Sequence, residues 1–180
     1  MLRLLHATVL GLVGAGIVHV AVLLLVPQFS ERDAWSRLAM AADLYKVVRF
    51  DTQRGEAAAV KSGDPLFYAA ACRFDLNDGV VHIRSAGRPP FWSVSVYNRA
   101  GQNIFSFNDR AATDGTLDFV VATPSQVVEI RKDVIDDYKK SIFVETELAE
   151  GIIVVRSFVP DDSWDQAVSG FLDTMSCTSR

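Results

Sequence analysis

The sequence has 180 residues, of which 49% are hydrophobic and 22% are charged. This balance supplies a packed core and excludes a largely disordered chain, and the length fits one domain with a short appendage. Asp and Glu total 22 against 18 Lys and Arg, and the resulting net charge of −4 argues against a nucleic-acid-binding protein, which needs a clustered basic surface.

The amino-terminal region contains an uninterrupted apolar segment. Residues 7–26 are 20 consecutive residues without formal charge, followed by Pro27. As a helix they reach about 30 Å, the thickness of the hydrocarbon core of a bilayer. The alternative is a cleaved signal peptide, which usually has a shorter apolar region and small residues at its cleavage site. Because this segment lacks such a site, we predict an uncleaved transmembrane anchor over residues 1–29.

The charges that flank this segment give its orientation. Arg3 lies before it, whereas Glu31, Arg32, Asp33 and Arg37 after it form a balanced set. The positive-inside rule then favours a cytoplasmic amino terminus, with the rest of the chain on the other side of the membrane.

One face of the anchor carries small residues at every fourth position, namely Ala7, Gly11 and Ala15. This spacing allows a second helix to approach closely, which predicts a homo-oligomer or a partner helix. The alternative is that the face has no such role, since glycine is common in membrane-spanning helices.

Residues 30–64 are predicted to form a juxtamembrane helix and a linker. An amphipathic helix over residues 31–50 is indicated by apolar residues at helical spacing, which are Trp35, Leu38, Ala42, Tyr45 and Val48. Residues 51–64 contain two glycines and scattered charges, which favour an irregular linker.

From residue 65 onward the pattern is typical of short strands. Apolar and aromatic runs alternate with turn signals, including the hairpin pairs Asp78-Gly79 and Asp114-Gly115. The runs are residues 66–76, 80–85, 91–97, 103–108, 117–122, 127–131, 142–147 and 152–159. We therefore predict a mainly β fold: an antiparallel β-sandwich or jelly-roll-like domain over residues 65–180, closed by a short carboxy-terminal helix that Ser163 caps.

Within two of these runs, apolar and polar residues alternate. Val81 and Ile83 share one face of their strand, and His82 lies on the opposite, polar face. We predict that His82 is a surface residue. In the run 91–97, Trp92, Val94 and Val96 share a face in the same way.

The chain has two cysteines, Cys72 and Cys177. An even number in a domain facing an oxidising compartment predicts a disulfide, with Cys72 on the same apolar strand face as Phe74 and Leu76. The bond would close a loop of about 105 residues, for which chain entropy gives at most about 4.7 kcal/mol. A catalytic thiol is the alternative, although no histidine is near either cysteine in sequence.

A search for catalytic motifs finds none that we can assign. The sequence lacks a Gly-x-Ser-x-Gly elbow, a phosphate-binding loop and metal-ligand spacing, so we expect no cofactor and no metal. Aspartates are abundant, mostly in turns, and nothing marks two of them as a glycosidase-like pair.

Aromatic residues beside polar ones give the only candidate ligand site. A groove that stacks on sugars or accepts lipid tails would use Trp92, Tyr97, Phe105 and Arg110. The alternative is that these aromatic residues belong to an ordinary sandwich core.

Three segments together resemble the domain-of-unknown-function 1254 family, and in particular its short, membrane-anchored bacterial branch. The segments are Leu66-Phe67-Tyr68-Ala69-Ala70-Ala71-Cys72-Arg73-Phe74-Asp75-Leu76, then Phe91-Trp92-Ser93-Val94-Ser95-Val96-Tyr97-Asn98 with Gly101 and Asn108-Asp109-Arg110, and Gly151-Ile152-Ile153-Val154-Val155-Arg156-Ser157-Phe158-Val159-Pro160 before Trp164. The resemblance covers the anchor and the β region, and it implies a β-rich cell-envelope domain. It also implies a companion protein of the related domain-of-unknown-function 1214 family, because larger relatives carry both domains in one chain. It brings no catalytic residues.

These observations lead to one functional hypothesis and one alternative. We expect a single-pass protein of the bacterial inner membrane whose carboxy-terminal domain lies in the periplasm and acts as a non-catalytic binding or scaffolding module. The alternative is an enzyme acting on envelope glycans or lipids, which requires a deep pocket holding two carboxylates.

Overall fold

The chain begins with one long helix. The computed structural model describes residues 1–50, 64, 66–132 and 136–180, without the side chains of residues 27–33 and 113. Helix α1 (Leu2–Ala41) has 40 residues and is therefore about 60 Å long. Its part Leu2–Val26 has a mean hydropathy of 2.7, is exposed throughout and is long enough to cross a membrane. The structure thus confirms an apolar amino-terminal helix.

The remaining described residues are mainly β. The strands are β1 (Val47–Arg49), β2 (Phe67–Asp75), β3 (Val81–Ser85), β4 (Trp92–Asn98), β5 (Asn103–Asn108), β6 (Leu117–Ala122), β7 (Ile142–Glu145), β8 (Glu150–Phe158) and β9 (Ser176–Ser179). Helix α2 (Pro124–Lys132) follows β6, and helix α3 (Asp165–Asp173) follows β8.

The strands form two sheets. Sheet A has the order β1-β2-β8-β4-β5, and sheet B has the order β7-β6-β3-β9. Neighbouring strands are antiparallel except β6 and β7, which are parallel because helix α2 forms the crossover between them. The predicted β-sandwich is confirmed, with this one parallel pair as a departure from the predicted antiparallel pairing.

One predicted strand is wrong. Residues 127–131 lie in helix α2, whose first turn is fixed by a reciprocal pair of hydrogen bonds. The backbone N–H of Thr123 donates to Gln126 Oε1 (2.8 Å), and the N–H of Gln126 donates to Thr123 Oγ1 (3.3 Å). This is a capping box, and Pro124 at the first helical position supports it. The Thr-Pro-Ser-Gln sequence was the available signal.

The predicted juxtamembrane helix also has different bounds. Helix α1 passes without interruption from the apolar segment to Ala41, and residues 47–49 pair with β2 as strand β1 instead of continuing the helix to residue 50. Residues 51–63 of the predicted linker lie outside the described residues. Strand β9, which pairs with β3, was not predicted either.

The main core lies between the two sheets. Its largest buried side chains include Trp92, Phe74 and Phe119, together with Phe171 from helix α3. Cys72 on β2 and Cys177 on β9 form a disulfide across this core, which confirms the predicted pairing and covalently joins sheet A to sheet B. Cys72 shares the core-facing side of β2 with Phe74, as the alternation indicated.

Helix α3 closes one side of the sandwich, as predicted, through Val168, Phe171 and Leu172. The cap differs from the prediction. Asp161, rather than Ser163, accepts hydrogen bonds at the start of the preceding turn, from the N–H and the hydroxyl of Ser163. These two hydrogen bonds lower the pKa of Asp161.

Because the disulfide is the covalent link between the sheets, its removal should destabilise the sandwich. We expect the double variant Cys72→Ala/Cys177→Ala to lose about 2–5 kcal/mol of unfolding free energy, measured by denaturant titration. Wild-type protein treated with reductant is the matched control, since it keeps both side chains. Equal stability of oxidised and reduced wild type would contradict this role and would assign any loss in the variant to packing.

Candidate functional site

The structure separates the four residues of the predicted ligand groove. Trp92 is fully buried between the sheets, where its Nε1 donates to the carbonyl oxygen of Gly115 (3.0 Å) and its ring contacts Phe107 edge to face. Tyr97 lies on the outer face of sheet A, whereas Phe105 is 41% exposed on edge strand β5. Arg110 is exposed after the end of β5. These residues do not line one groove, and the ring of Trp92 offers no face to a ligand.

A set of cation–π, hydrogen-bond and apolar contacts lies instead where helix α1 meets the outer face of sheet A, a region we call the junction. Its centre is the indole of Trp35, at the carboxy-terminal part of α1. The guanidinium carbon of Arg73 lies 5.1 Å from the ring centroid and that of Arg99 lies 5.2 Å from it. Both distances are within the range of cation–π attraction, so Trp35 joins α1 to two separate parts of the sheet.

Apolar contacts extend the junction on both sides of Trp35. Leu38, one helical turn further along α1, is 5% exposed and packs with Ala71 of β2 and Ile152 of β8. The partly buried members of the same cluster are Trp35, Val48, Phe50, Tyr97 and Val154. Strands β2 and β8 are therefore covered on both faces, by the main core on one side and by α1 on the other.

The two arginines also make hydrogen bonds that fix their positions. Arg73 Nη2 donates to the carbonyl oxygen of Ala42 (2.7 Å), directly after the last residue of α1. A cation at this position satisfies a free carbonyl group and interacts favourably with the negative end of the helix dipole. Arg99 forms an ion pair with Glu150 at the start of β8. Arg73 thus connects Trp35 to the end of α1, and Arg99 connects Trp35 to Glu150 of β8.

The chain between α1 and β1 is held by Tyr45. This residue has φ = 61°, a left-handed conformation that is costly for a side chain of this size. Its backbone N–H donates to the carbonyl oxygen of Arg73 (2.9 Å), and its hydroxyl lies 2.8 Å from the carbonyl oxygen of Asp75 and 2.7 Å from Asp78 Oδ2. Burial, followed by the hydrogen bond with Asp78, raises the pKa of Tyr45.

A shallow depression lies beside the junction, between the end of α1 and strands β1 and β2. It has no enclosed space large enough for a water molecule, and its lining contains a single carboxylate, Asp43. Its lining residues are Leu38, Ala42, Asp43, Lys46, Val48, Ala71 and Arg73. A glycosidase-like mechanism requires two carboxyl groups about 5–9.5 Å apart across a pocket, and this depression does not provide them.

A second polar cluster lies on the outer face of sheet B. His82 is 1% exposed, which contradicts its prediction as a surface residue. Its Nε2 lies 2.9 Å from Asp118 Oδ1 and 3.4 Å from Ser141 Oγ, and the ring contacts Tyr138 edge to face. Tyr138 and helix α2 belong to the cluster that covers this face of the sheet. The strand alternation indicated the correct face for His82, and its burial comes from later residues, Val127 and Tyr138 among them, that cover this face.

The cluster contains the residue types of a catalytic triad without its geometry. In a triad, the carboxylate holds one ring nitrogen of the histidine and the serine hydroxyl contacts the other. Here Asp118 and Ser141 both approach Nε2, and the Ser141 hydroxyl donates to Asp118 Oδ1 (2.5 Å). The arrangement therefore links β3, β6 and the start of β7 instead of activating Ser141.

The predicted helix-packing face remains open. Ala7, Gly11 and Ala15 are exposed, and a Cβ added at Gly11 would meet no atom within 4 Å. Association through this face stays a prediction. Across the described parts of the chain, no group of three or more His, Cys, Asp or Glu side chains could hold a metal ion.

Comparisons with known proteins give only distant structural likenesses. No family model and no curated protein sequence matches the chain. The VPA0106 protein from Vibrio parahaemolyticus has 11% identity and a TM-score of 0.49 over 64% of this chain. An uncharacterised protein from Burkholderia cenocepacia has 16% identity and a TM-score of 0.45 over 68% of this chain. This chain spans 28% and 32% of their respective lengths.

Replacing Trp35 should loosen the junction without unfolding the sandwich. In Trp35→Ala, α1 loses both cation–π contacts and the packing of the indole ring on sheet A. We expect this loss to lower the free energy of local unfolding of this part of α1 by about 2 kcal/mol. Amide hydrogen exchange across residues 35–42 should then become about 30-fold faster.

The matched control for this prediction is Met40→Ala on the same helix, because Met40 is 81% exposed and makes no contribution to the junction. Exchange that is equally fast in wild type, Trp35→Ala and Met40→Ala would contradict the docked position of α1.

Proposed function

We propose that this protein is a single-pass protein of the bacterial inner membrane that holds a β-sandwich on the periplasmic side as a non-catalytic binding or scaffolding module. The observation that carries the proposal is the continuity of α1. The same helix that is apolar and exposed over Leu2–Val26 packs on sheet A through Trp35 and Leu38.

A docked helix has a different consequence from a flexible tether. A flexible linker lets a domain sample many orientations, whereas a packed helix allows few. Trp35, held between Arg73 and Arg99, gives the sandwich a defined orientation relative to the membrane segment. A defined orientation serves a module that must meet another membrane component at a fixed height and angle.

The disulfide supports the periplasmic assignment. Disulfides between buried cysteines persist in oxidising compartments such as the bacterial periplasm and are rare in the cytosol. Cys72 and Cys177 are both buried and joined across the core. The charge balance around the anchor favours the same orientation, with Arg3 on the cytoplasmic side.

The partners we propose follow from the exposed surfaces and from the family resemblance. The membrane surrounds Leu2–Val26, and a second copy could pack on the face formed by Ala7, Gly11 and Ala15. The resemblance to the domain-of-unknown-function 1254 family adds a companion protein of the domain-of-unknown-function 1214 family. An enzymatic role finds no support in the junction depression or in the His82 cluster, for the geometric reasons given above.

Topology mapping in cells tests the proposal. We expect a carboxy-terminal alkaline phosphatase fusion to be active and the corresponding green fluorescent protein fusion to be dark, because phosphatase folds only in the oxidising compartment. The protein should stay in the membrane fraction after an alkaline wash, and crosslinking in those membranes should give discrete adducts with a partner or a second copy.

The control is the chain without residues 2–26, which should lose membrane retention. A cytosolic domain with free thiols, or a mature form without the anchor, would contradict the proposed location. A correctly located protein that yields no adduct under several crosslinking conditions would contradict the binding role.

A further inference from the structure

We infer that the β4–β5 corner, which we define as residues 99–105, rests on the lipid headgroup layer of the membrane that α1 crosses. The inference rests on the proposed membrane anchorage and adds a second contact between this protein and the bilayer. It follows from the path of α1 across sheet A and from the chemistry of the corner.

The contacts of α1 give its direction across the strands. The end of the helix lies over β2, since the Ala42 carbonyl accepts from Arg73 and Leu38 lines a depression with Ala71. One to two turns earlier, Trp35 lies between Arg73 on β2 and Arg99 after β4, and hence above β8. Followed towards its amino terminus, α1 therefore passes from β2 over β8 towards β4 and β5.

The strand registers show where the helix leaves the sheet. Arg73 pairs with Ile152, Ile152 pairs with Tyr97, and Tyr97 pairs with Asn103. A helix that follows this row reaches the edge of sheet A at Asn103, the first residue of β5. The β4–β5 corner is thus the part of the sandwich nearest to the membrane segment.

Simple distances place the corner at the depth of the headgroups. Strands β8 and β5 are two spacings apart, or about 10 Å. Trp35 and Val26 are nine residues apart, or about 14 Å along a helix. The apolar segment therefore ends about 4 Å beyond the sheet edge, and the headgroup layer on each side of a bilayer is about 5–7 Å thick.

The composition of the corner suits such a position. Ile104 and Phe105 are 43% and 41% exposed, and as neighbours on edge strand β5 they present apolar side chains on both faces of the sheet edge. Strand β5 is a sheet edge without a single charged residue, whereas edges that face water are normally protected by charge. Apolar side chains next to the amides of Gln102 and Asn103 match the mixed polarity of the membrane interface.

Site-specific fluorescence in vesicles tests the inference. Ile104→Cys and Phe105→Cys are each labelled with an NBD fluorophore in the full-length chain, whose native cysteines stay joined as the disulfide. The proteins are reconstituted in phosphatidylethanolamine–phosphatidylglycerol vesicles. The control is Val128→Cys, which is 58% exposed on helix α2 over the opposite sheet.

We expect both corner labels to emit at shorter wavelength than the control label and to lose quenching by aqueous iodide. Both should be quenched by lipids that carry a nitroxide near the headgroup, whereas the Val128 label should respond only to iodide. A near-ultraviolet circular dichroism spectrum like that of the wild type shows that the sandwich of each variant is folded, and thiol titration shows that its disulfide is intact.

Three outcomes would overturn the inference, and they are distinguishable. Corner labels quenched by iodide as strongly as the control label mean that the corner lies in water. Protection from iodide without quenching by the lipid nitroxide assigns the corner to a protein occupant, either a second copy or an extended peptide added to β5. If the protein does not float with vesicles, the proposed membrane anchorage is wrong. If it floats but the corner labels are exposed to water, the anchorage stands and only the inference about the corner is wrong.

Discussion

The packing of helix α1 on the outer face of sheet A is the constraint on which the arrangement of this protein depends. Strands β2 and β8 carry apolar residues on both faces, so one face would be exposed to water if α1 did not cover it. Trp35 and Leu38 supply the cover, and the guanidinium groups of Arg73 and Arg99 both lie within cation–π distance of the Trp35 ring. An apolar segment long enough to cross a membrane and the cover of the outer face of sheet A are thus parts of a single helix.

This arrangement brings the disulfide between the sheets and the packing of helix α1 together at one strand, β2. The disulfide between Cys72 and Cys177 joins the sheets on the inner side of β2, while α1 packs on its outer side. Strand β2 is therefore in contact with the disulfide on its inner face and with α1 on its outer face, and a movement of α1 would act directly on it. Such an arrangement favours a module whose orientation at the membrane matters, and it gives no advantage to a freely moving domain.

Most of the fold could be predicted from local patterns, but the junction could not. Turn signals and two-residue alternation located most of the strands, and the cysteine count indicated the disulfide. The strand predicted at residues 127–131 was wrong because β-branched residues outweighed the capping box that begins at Thr123. The available sign of the junction was the absence of alternation: the runs Ala69-Ala70-Ala71 and Ile152-Ile153-Val154-Val155 are apolar on both faces, which indicates a sheet covered twice. His82 was wrongly predicted to be a surface residue, and Trp92 was wrongly included in a candidate ligand groove, because the burial of both depends on elements distant in sequence.

The most direct test of this account is the distance between the membrane helix and the sandwich in a bilayer. Nitroxide labels at Ala21→Cys on α1 and Val128→Cys on α2, both exposed positions, report it by double electron–electron resonance with the native disulfide intact. The docked junction predicts one narrow distance distribution, which becomes broad in the Trp35→Ala background. A broad distribution in the otherwise unmodified chain would mean that α1 is a flexible tether, and it would contradict the account.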